Sequence, residues 1–199
     1  MLEIGRIRLR AFNRDDLHLV ECWENFHEGT LYARGQPMVF KNMDEIKKQY
    51  EEYLENEDKH RFIIELREND KAIGFASYED HSRDVRNATI GAFIGNKEYW
   101  NKGLGKEVTL ALCEMLFFQH RYDRLSAWSS SINLRSQHVL KDIGFEHSGT
   151  SRKSGYLYGK RIDWYMYDIL REEYMPERKK LLDTYITETK EYIERHCKL

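Results

Sequence analysis

The sequence predicts an α+β fold, and three observations carry that expectation. Arg61–Leu66 and Ala72–Tyr78 are β-rich runs flanking the turn pair Asn69-Asp70, so they form a hairpin. Ile90–Gly95 is an apolar, β-favouring segment that feeds a short turn and then a helix opened by Gly103 and Gly105. Other segments carry apolar residues at helical spacing, so helices and strands share one chain of 199 residues.

Taken in order, Ile7 and Leu9 alternate with Arg6, Arg8 and Arg10, which reads as a half-exposed first strand that also takes in Ile4. Asn13 to Asp16 supply capping side chains, and a helix follows with Leu17, Val20, Trp23 and Phe26 on one face. Residues 29–40, with Gly35 and Pro37, read as a loop. A second helix begins near Asp44, with Met43, Ile46, Tyr50, Tyr53 and Leu54 on its stripe. After the hairpin, residues 79–86 read as a charged loop, and the next strand runs from about Asn87 to Ile94.

The helix after Gly105 carries Val108, Ala111, Leu112, Met115, Leu116 and Phe118 at helical spacing. Residues 121–124 form a charged turn and 125–129 a short strand. Asn133 caps a helix bearing Ser136, Val139, Leu140 and Ile143. Gly144 ends it in the left-handed conformation, and Phe145 makes the apolar contact beyond. Residues 147–153 and 160–170 are the last two strands, joined by a turn at 156–159. Past Glu172, Pro176 suits a first helical position. Leu181, Leu182, Tyr185, Ile186, Tyr192 and Ile193 make the stripe of a closing amphipathic helix, docked on its own body or on a second subunit.

Composition narrows the function. Charged residues make up 33% of the chain and net charge is −2, so no basic field argues for nucleic acid. The start shows no charged-then-apolar leader and no apolar run reaches membrane-spanning length, so a cytoplasmic location without membrane contact is expected. Cys22, Cys113 and Cys197 are odd in number and far apart, which is neither a disulfide framework nor a zinc pattern. No His-x-x-x-His pair occurs, and no metal is expected.

The glycine loop has chemistry of its own. The first amides of a helix have no partner within it, and they carry the positive end of its dipole. Gly103 and Gly105 let a ligand approach the backbone, and Lys102 and Lys106 add charge beside it. This is a candidate pyrophosphate cradle. It is not the dinucleotide fingerprint, whose third glycine position is Val108 here, nor a nucleotide-hydrolase phosphate loop. Seen locally, an ordinary strand-to-helix turn stays open as the other reading.

A wider set of residues resembles one family. Trp100-x-x-Gly103-x-Gly105 after Ile90-Gly91-x-x-Ile94 resembles the acyl-coenzyme A loop of the GNAT superfamily of N-acetyltransferases. Tyr99-Trp100 in front of it looks like the branch that acetylates ribosomal-protein N-termini. Asn133-x-x-Ser136-x-x-x-Leu140-Lys141-x-x-Gly144-Phe145-x-x-x-Gly149 is similar to a second signature of that branch, and Gly159-x-x-x-Asp163 is a weaker third. The resemblance covers roughly residues 3–171. It implies a splayed, mostly antiparallel mixed sheet of about seven strands in a catalytic domain of residues 1–171, with 172–199 as a helical extension.

It also implies a site. Acetyl-coenzyme A would lie on Lys102, Gly103, Leu104, Gly105 and Lys106. Its pantetheine arm would run along Phe93 and Ile94, one of which donates an amide to the thioester oxygen, and touch Asn133. Ser136 stands where the branch has a serine near the leaving sulfur, and would relay a proton. Asn133 as a simple cap and Ser136 as a simple first-turn residue remain the plain alternatives. Glu28, Tyr32 and Arg34 are plausible acceptor contacts, with Tyr156 and Tyr158 near the closing turn. Many relatives carry Glu where this chain has Thr89, so the usual base is missing, and Glu79, Asp80 and His81 are the candidates to replace it, Glu79 first. Leu140 stands where polyamine acetyltransferases place a proton-donating tyrosine.

A protein α-amine has a pKa near 7.7–8.0 and a lysine amine near 10.4, so far more of the first is neutral at pH 7. A site without a strong base therefore suits an N-terminal α-amine, or a similarly weak base such as an aminosugar. Other small amines, and a non-catalytic acyl-coenzyme A-binding module, are the competing readings. A homodimer is compatible with the closing helix.

Overall fold

A computed structural model describes residues 2–35, 39–82 and 84–196, with side chains described as far as Asp183 except at Ser82. Eight strands form one sheet: β1 (Leu2–Ile4), β2 (Ile7–Ala11), β3 (Lys59–Leu66), β4 (Ala72–Ser82), β5 (Asn87–Ile94), β6 (Arg124–Ser130), β7 (Glu146–Leu157) and β8 (Lys160–Leu170). Their order is β1-β2-β3-β4-β5-β6-β8-β7. All neighbours pair antiparallel except β5 and β6, which are parallel.

The helices are α1 (Leu17–Glu24), α2 (His27–Arg34), α3 (Met43–Glu55), α4 (Leu104–Glu114), α5 (Leu134–Ile143) and α6 (Arg171–His196). One face of the sheet holds the larger core. Ile7, Leu9, Ile64, Ala76, Tyr78, Ala88, Ile90 and Leu125 pack there on α4, α5 and Tyr174 of α6. The other face holds Ile63, Phe75 and Phe93 against Leu17, Val20 and Trp23 of α1 and Ile46 and Tyr50 of α3. Burying both faces drives these layers together.

Several local expectations change. The first strand is a hairpin: Gly5 takes φ 53 and folds β1 onto β2 with Ile4 opposite Ile7, which gives eight strands instead of about seven. Residues 27–34 are helix α2, not loop. A glycine inside a helix is normally costly, but at Gly29 an added Cβ would lie 2.7 Å from Phe26 and 2.8 Å from Phe93, so tertiary crowding selects it. Gly35, at φ 55, then ends the helix in the left-handed conformation.

Strand β4 runs on to Ser82, so Glu79, Asp80 and His81 are strand residues, not a charged loop; Glu79 and Asp80 pair with Thr89 and Ala88 of β5, and His81 falls at a register shift. The helix after Gly105 ends in a π turn at Met115–Gln119, with the His120 amide on the Met115 carbonyl. Helix α3 begins at Met43, as expected near Asp44, and Asn42 caps it, accepting the Asp44 and Glu45 amides while Glu45 closes the capping box. In the closing helix, Tyr174 is fully buried in the larger core and Leu182 is buried, so its first turns dock on the chain's own body. Pro176 lies inside the helix. The side chains of Tyr185, Ile186, Tyr192 and Ile193, and all of Cys197, lie outside the described residues.

Candidate active site

The site begins where the sheet opens. β5 and β6 pair only from Asn87↔Arg124 to Ile90↔Ala127. Beyond that register β5 keeps β4 as its partner to Ile94, and β6 keeps β8 to Ser130. The two strands therefore part from Gly91 and Trp128 onward, and part of each facing edge is left without a ladder partner.

Helix α2 spans the opening. Gly29 presses on Phe93 of β5, and the Tyr32 carbonyl accepts a 2.9 Å hydrogen bond from the Ser130 hydroxyl of β6. Trp100 packs 5.7 Å from Phe26, and its indole donates to the Ile94 carbonyl at 2.9 Å. The Arg135 guanidinium lies over both Trp100, at 3.9 Å, and Tyr32, at 4.9 Å. The result is a cavity of about 800 Å³ running from the glycine loop, through the gap between the strands, to α1, α2 and β3.

At one end stand Gly103, Leu104 and Gly105. Gly103 precedes α4 with φ 80, and its carbonyl accepts from the Lys106 and Glu107 amides, at 3.0 and 3.3 Å. The Leu104 and Gly105 amides are the orphan donors of that turn. A Cβ on Gly105 would meet only Val139, at 3.7 Å, so the approach to these amides is open. The loop is anchored from below by Arg6, which reaches the Lys102 carbonyl at 2.6 Å and fully buried Glu107 at 2.8 Å.

The expected residues divide. Phe93, Ile94, Gly103, Leu104, Gly105, Asn133, Ser136, Tyr32 and Arg34 all line the cavity. Asn133 caps α5, accepting the Ser136 amide at 3.2 Å. Lys102 and Lys106 do not line it: one ammonium sits 5.7 Å over the Tyr99 ring and the other 3.7 Å from Asp142. Glu28 turns outward to Lys97, at 2.7 Å. Tyr156 lies on β7 beneath Arg161, 5.3 Å away, and Tyr158 in the exposed turn after it.

Glu79 is also outside the cavity. It sits opposite Thr89 with its carboxylate 3.5 Å from Lys59. At that level β5 and β6 are still paired, so the Thr89 hydroxyl meets Ser126, at 2.8 Å, and His81, at 2.6 Å, instead of open space. Ser77, Phe75 and Arg61, by contrast, line the cavity nearer the opening. The register between β4 and β5 is unbroken from Gly74↔Ile94 to Asp80↔Ala88, so the amides offered near Phe93 come from the parting of β5 and β6, not from a bulge.

Trp23, Glu24, Arg61, Phe75 and Arg135 are among the cavity residues that pattern reading did not assign to the site. Arg61 had a signal. In Arg61-Phe62-Ile63-Ile64 it shares a strand face with Ile63, which is fully buried, so a charged residue points where apolar ones belong. No cluster of three metal-ligating side chains occurs among the described residues.

Comparisons with known proteins agree with this geometry. The family model described as an acetyltransferase (GNAT) domain matches residues 6–146. The chain is 27% identical over 171 residues to an uncharacterized N-acetyltransferase, p20, of Bacillus licheniformis, covering 85% of this chain and 95% of that protein. It is 26% identical over 175 residues to the uncharacterized N-acetyltransferase YnaD of Bacillus subtilis, covering 85% and 96%. Among solved structures, spermidine N-acetyltransferase from Vibrio cholerae in complex with CoA and spermine superposes with TM-score 0.78 at 19% identity, over 85% of this chain and 98% of that one. A GNAT-family acetyltransferase from Bacillus anthracis superposes with TM-score 0.73 at 21% identity, over 86% and 99%.

Proposed function

Because this chain belongs to the GNAT acetyltransferase family, we propose that it moves an acetyl group from acetyl-coenzyme A to a primary amine of low basicity, a protein or peptide N-terminal α-amine before others. The observation that carries this is the parting of β5 from β6 beside the glycine-led start of α4, with one cavity joining them.

In this reading the Leu104 and Gly105 amides, with that of Gly103, hold the pyrophosphate, which carries the negative charge that a helix start attracts. The pantetheine arm lies in the gap against Phe93, Ile94 and Asn133. Acetyl-coenzyme A supplies an activated acyl carbon. The chain supplies position and donors: a free amide on the parted edge of β5 stabilises the oxygen as it gains charge, and the Ser136 hydroxyl gives a proton to the departing sulfur. The acceptor enters from the α1–α2 side, past Trp23, Tyr32 and Phe75.

Beside its carboxylates, the described lining of the cavity includes one imidazole, His138. Among the described residues, the carboxylates lining the cavity are Glu24 and Asp142. Glu24 is already paired with Arg34 and with Lys41, at 3.0 Å, and Asp142 with Lys106. Glu79 is spent on Lys59. A weakly basic amine needs least help, since more of it is already neutral at pH 7. A polyamine is the second reading, prompted by the spermidine N-acetyltransferases of similar fold. Two features oppose it: Leu140 lines the cavity and has no proton to give, and the acceptor end is rich in arginine.

Calorimetry with acetyl-coenzyme A tests the cradle. Gly105→Pro removes one amide at a position where a first-turn proline is tolerated. Binding to the wild type that falls at least tenfold in a folded Gly105→Pro variant supports it. No binding to the wild type overturns it. Thiol release with peptide N-termini, lysine and spermidine then ranks the acceptors.

A further inference from the structure

The acceptor end of the cavity holds more positive charge than its carboxylate balances. Arg34, Arg61 and Glu24 line it, and Lys41 stands behind Glu24. Glu24 is buried and accepts from both Arg34 and Lys41. Lys41 also donates to Gln49, at 3.0 Å. Both bonds fall on one Glu24 oxygen, and Lys41 also has Glu45 nearby, so Arg34 and Lys41 have carboxylates while none of the described ones pairs with Arg61. Gln36, Pro37 and Met38, which lie outside the described residues, carry no charge.

Arg61 is the surplus. Its Nε is buried and has no hydrogen-bond partner among the described residues. Its guanidinium is packed among rings, 4.7 Å from Phe75, 5.5 Å from Tyr53 and 5.9 Å from Phe12. The rings surround the guanidinium with apolar surface, and its N–H groups are what it can offer to a polar partner. Burial pulls Arg61 below the usual arginine range, and burial together with Arg61 does the same to Arg34. A buried donor left unmade is costly, and a cation left unpaired more so. Such a group in a cavity wall is matched to something that arrives.

We infer that the acceptor amine carries a carboxylate, received by the terminal N–H groups of the Arg61 guanidinium, which lines the cavity, with Arg34 beside it. The inference rests on the amine-acetyltransferase reading and specifies its acceptor. A planar guanidinium edge offers two parallel N–H groups to the two oxygens of a carboxylate. The same cluster repels a second ammonium, which excludes polyamines by charge. An amino acid, or a peptide whose N-terminal residues include an acid, has the required chemistry.

The test titrates matched amines into the full chain, with and without coenzyme A, so that binding is read whether or not acetyl transfer occurs. One set is 4-aminobutyrate, 1-aminobutane and 1,4-diaminobutane. The other is the amidated dipeptides Ala-Glu and Ala-Gln. In at least one set the carboxylated member is expected to bind at least tenfold more tightly than its matches. Arg61→Gln should erase that difference and Arg61→Lys keep part of it, with thermal melts confirming that both fold. Equal binding within both sets, tighter binding of the diamine, or a preference that survives Arg61→Gln overturns the inference. Since the wild-type comparison alone can overturn it, an unfolded variant does not rescue it. Failure of the acetyltransferase reading shows separately, as absent acetyl-coenzyme A binding.

Discussion

Arg6 holds Glu107 across 101 residues of sequence, its backbone amide on one carboxylate oxygen at 2.7 Å and its side-chain Nε on the other at 2.8 Å. Glu107 is fully buried in the first turn of α4, where negative charge also suits the helix dipole. The same guanidinium reaches the Lys102 carbonyl, at 2.6 Å. The turn between β1 and β2 therefore fixes the glycine loop from beneath. Glu107→Ala is expected to lower stability by about 1–3 kcal/mol, since Arg6 is half-exposed and rehydrates while the loop loses its anchor. Acetyl-coenzyme A affinity should fall with it. Chemical denaturation beside calorimetry checks both, and an unchanged affinity would show that the loop keeps its shape unaided.

Asp16 carries a pH-dependent part of the stability. Burial alone would raise its carboxyl, but the Arg10 guanidinium, at 2.7 Å on each oxygen, and the Asn13 amide, at 3.0 Å, hold it below the usual range. A carboxylate depressed in the folded state stabilises above its unfolded pKa, about 3.9, and loses that contribution as pH falls through the folded value. Asp16→Asn should therefore be less stable than wild type at pH 7, by about 2 kcal/mol, with the gap narrowing below about pH 4. Urea melts at pH 7, 5 and 3 test the sign. A gap that widens in acid would refute the assignment.

Gly29 and Gly95 fit α1 and α2 against the opening. A Cβ on Gly95 would sit 2.2 Å from Trp23, and one on Gly29 2.8 Å from Phe93. Gly29→Val is expected to push α2 off β5, at a cost of about 1–3 kcal/mol for overpacking. The acceptor affinity should fall more than the acetyl-coenzyme A affinity. Equal loss of both would mean that α2 also shapes the glycine loop.

Tyr174 ties the closing helix to the core. It lies 5.3 Å from the Phe117 ring and donates to Glu114 at 2.9 Å, and Arg178 binds the same carboxylate at 2.7 Å. Tyr174→Ala should cost about 3–5 kcal/mol, as for other buried aromatics, and Tyr174→Phe about 1 kcal/mol. Thermal denaturation checks the ratio.

Cys113 is fully buried in α4, and burial pushes its thiol far up. Cys22 is exposed. Alkylation of the native protein, mapped by mass spectrometry, should therefore mark Cys22 and leave Cys113 untouched.

Much of this was legible along the chain. The alternation at β2, the β-rich run at β3, the Asn133 cap, the Gly144 stop and the glycine start of α4 are local physics, written within a few residues of where they act. Motif order then led to the family. The boundaries that moved were those where a distant contact overrode local preference. Residues 27–34 are a helix that packs across the opening, with Gly29 against Phe93 and the Tyr32 carbonyl on Ser130, contacts that no local pattern reports. Residues 79–82 became strand because β5 offered a partner to their backbone. At the site, the sequence determined the glycine loop and the residues of the gap, which motif spacing encodes. The tertiary structure decided the acceptor end. Glu24, Arg34 and Arg61 stand on three elements with no shared periodicity, and Arg61 becomes a surplus charge only when folding engages Glu24 with Arg34 and Lys41. A charge balance depends on distance in space, and no local pattern reports it.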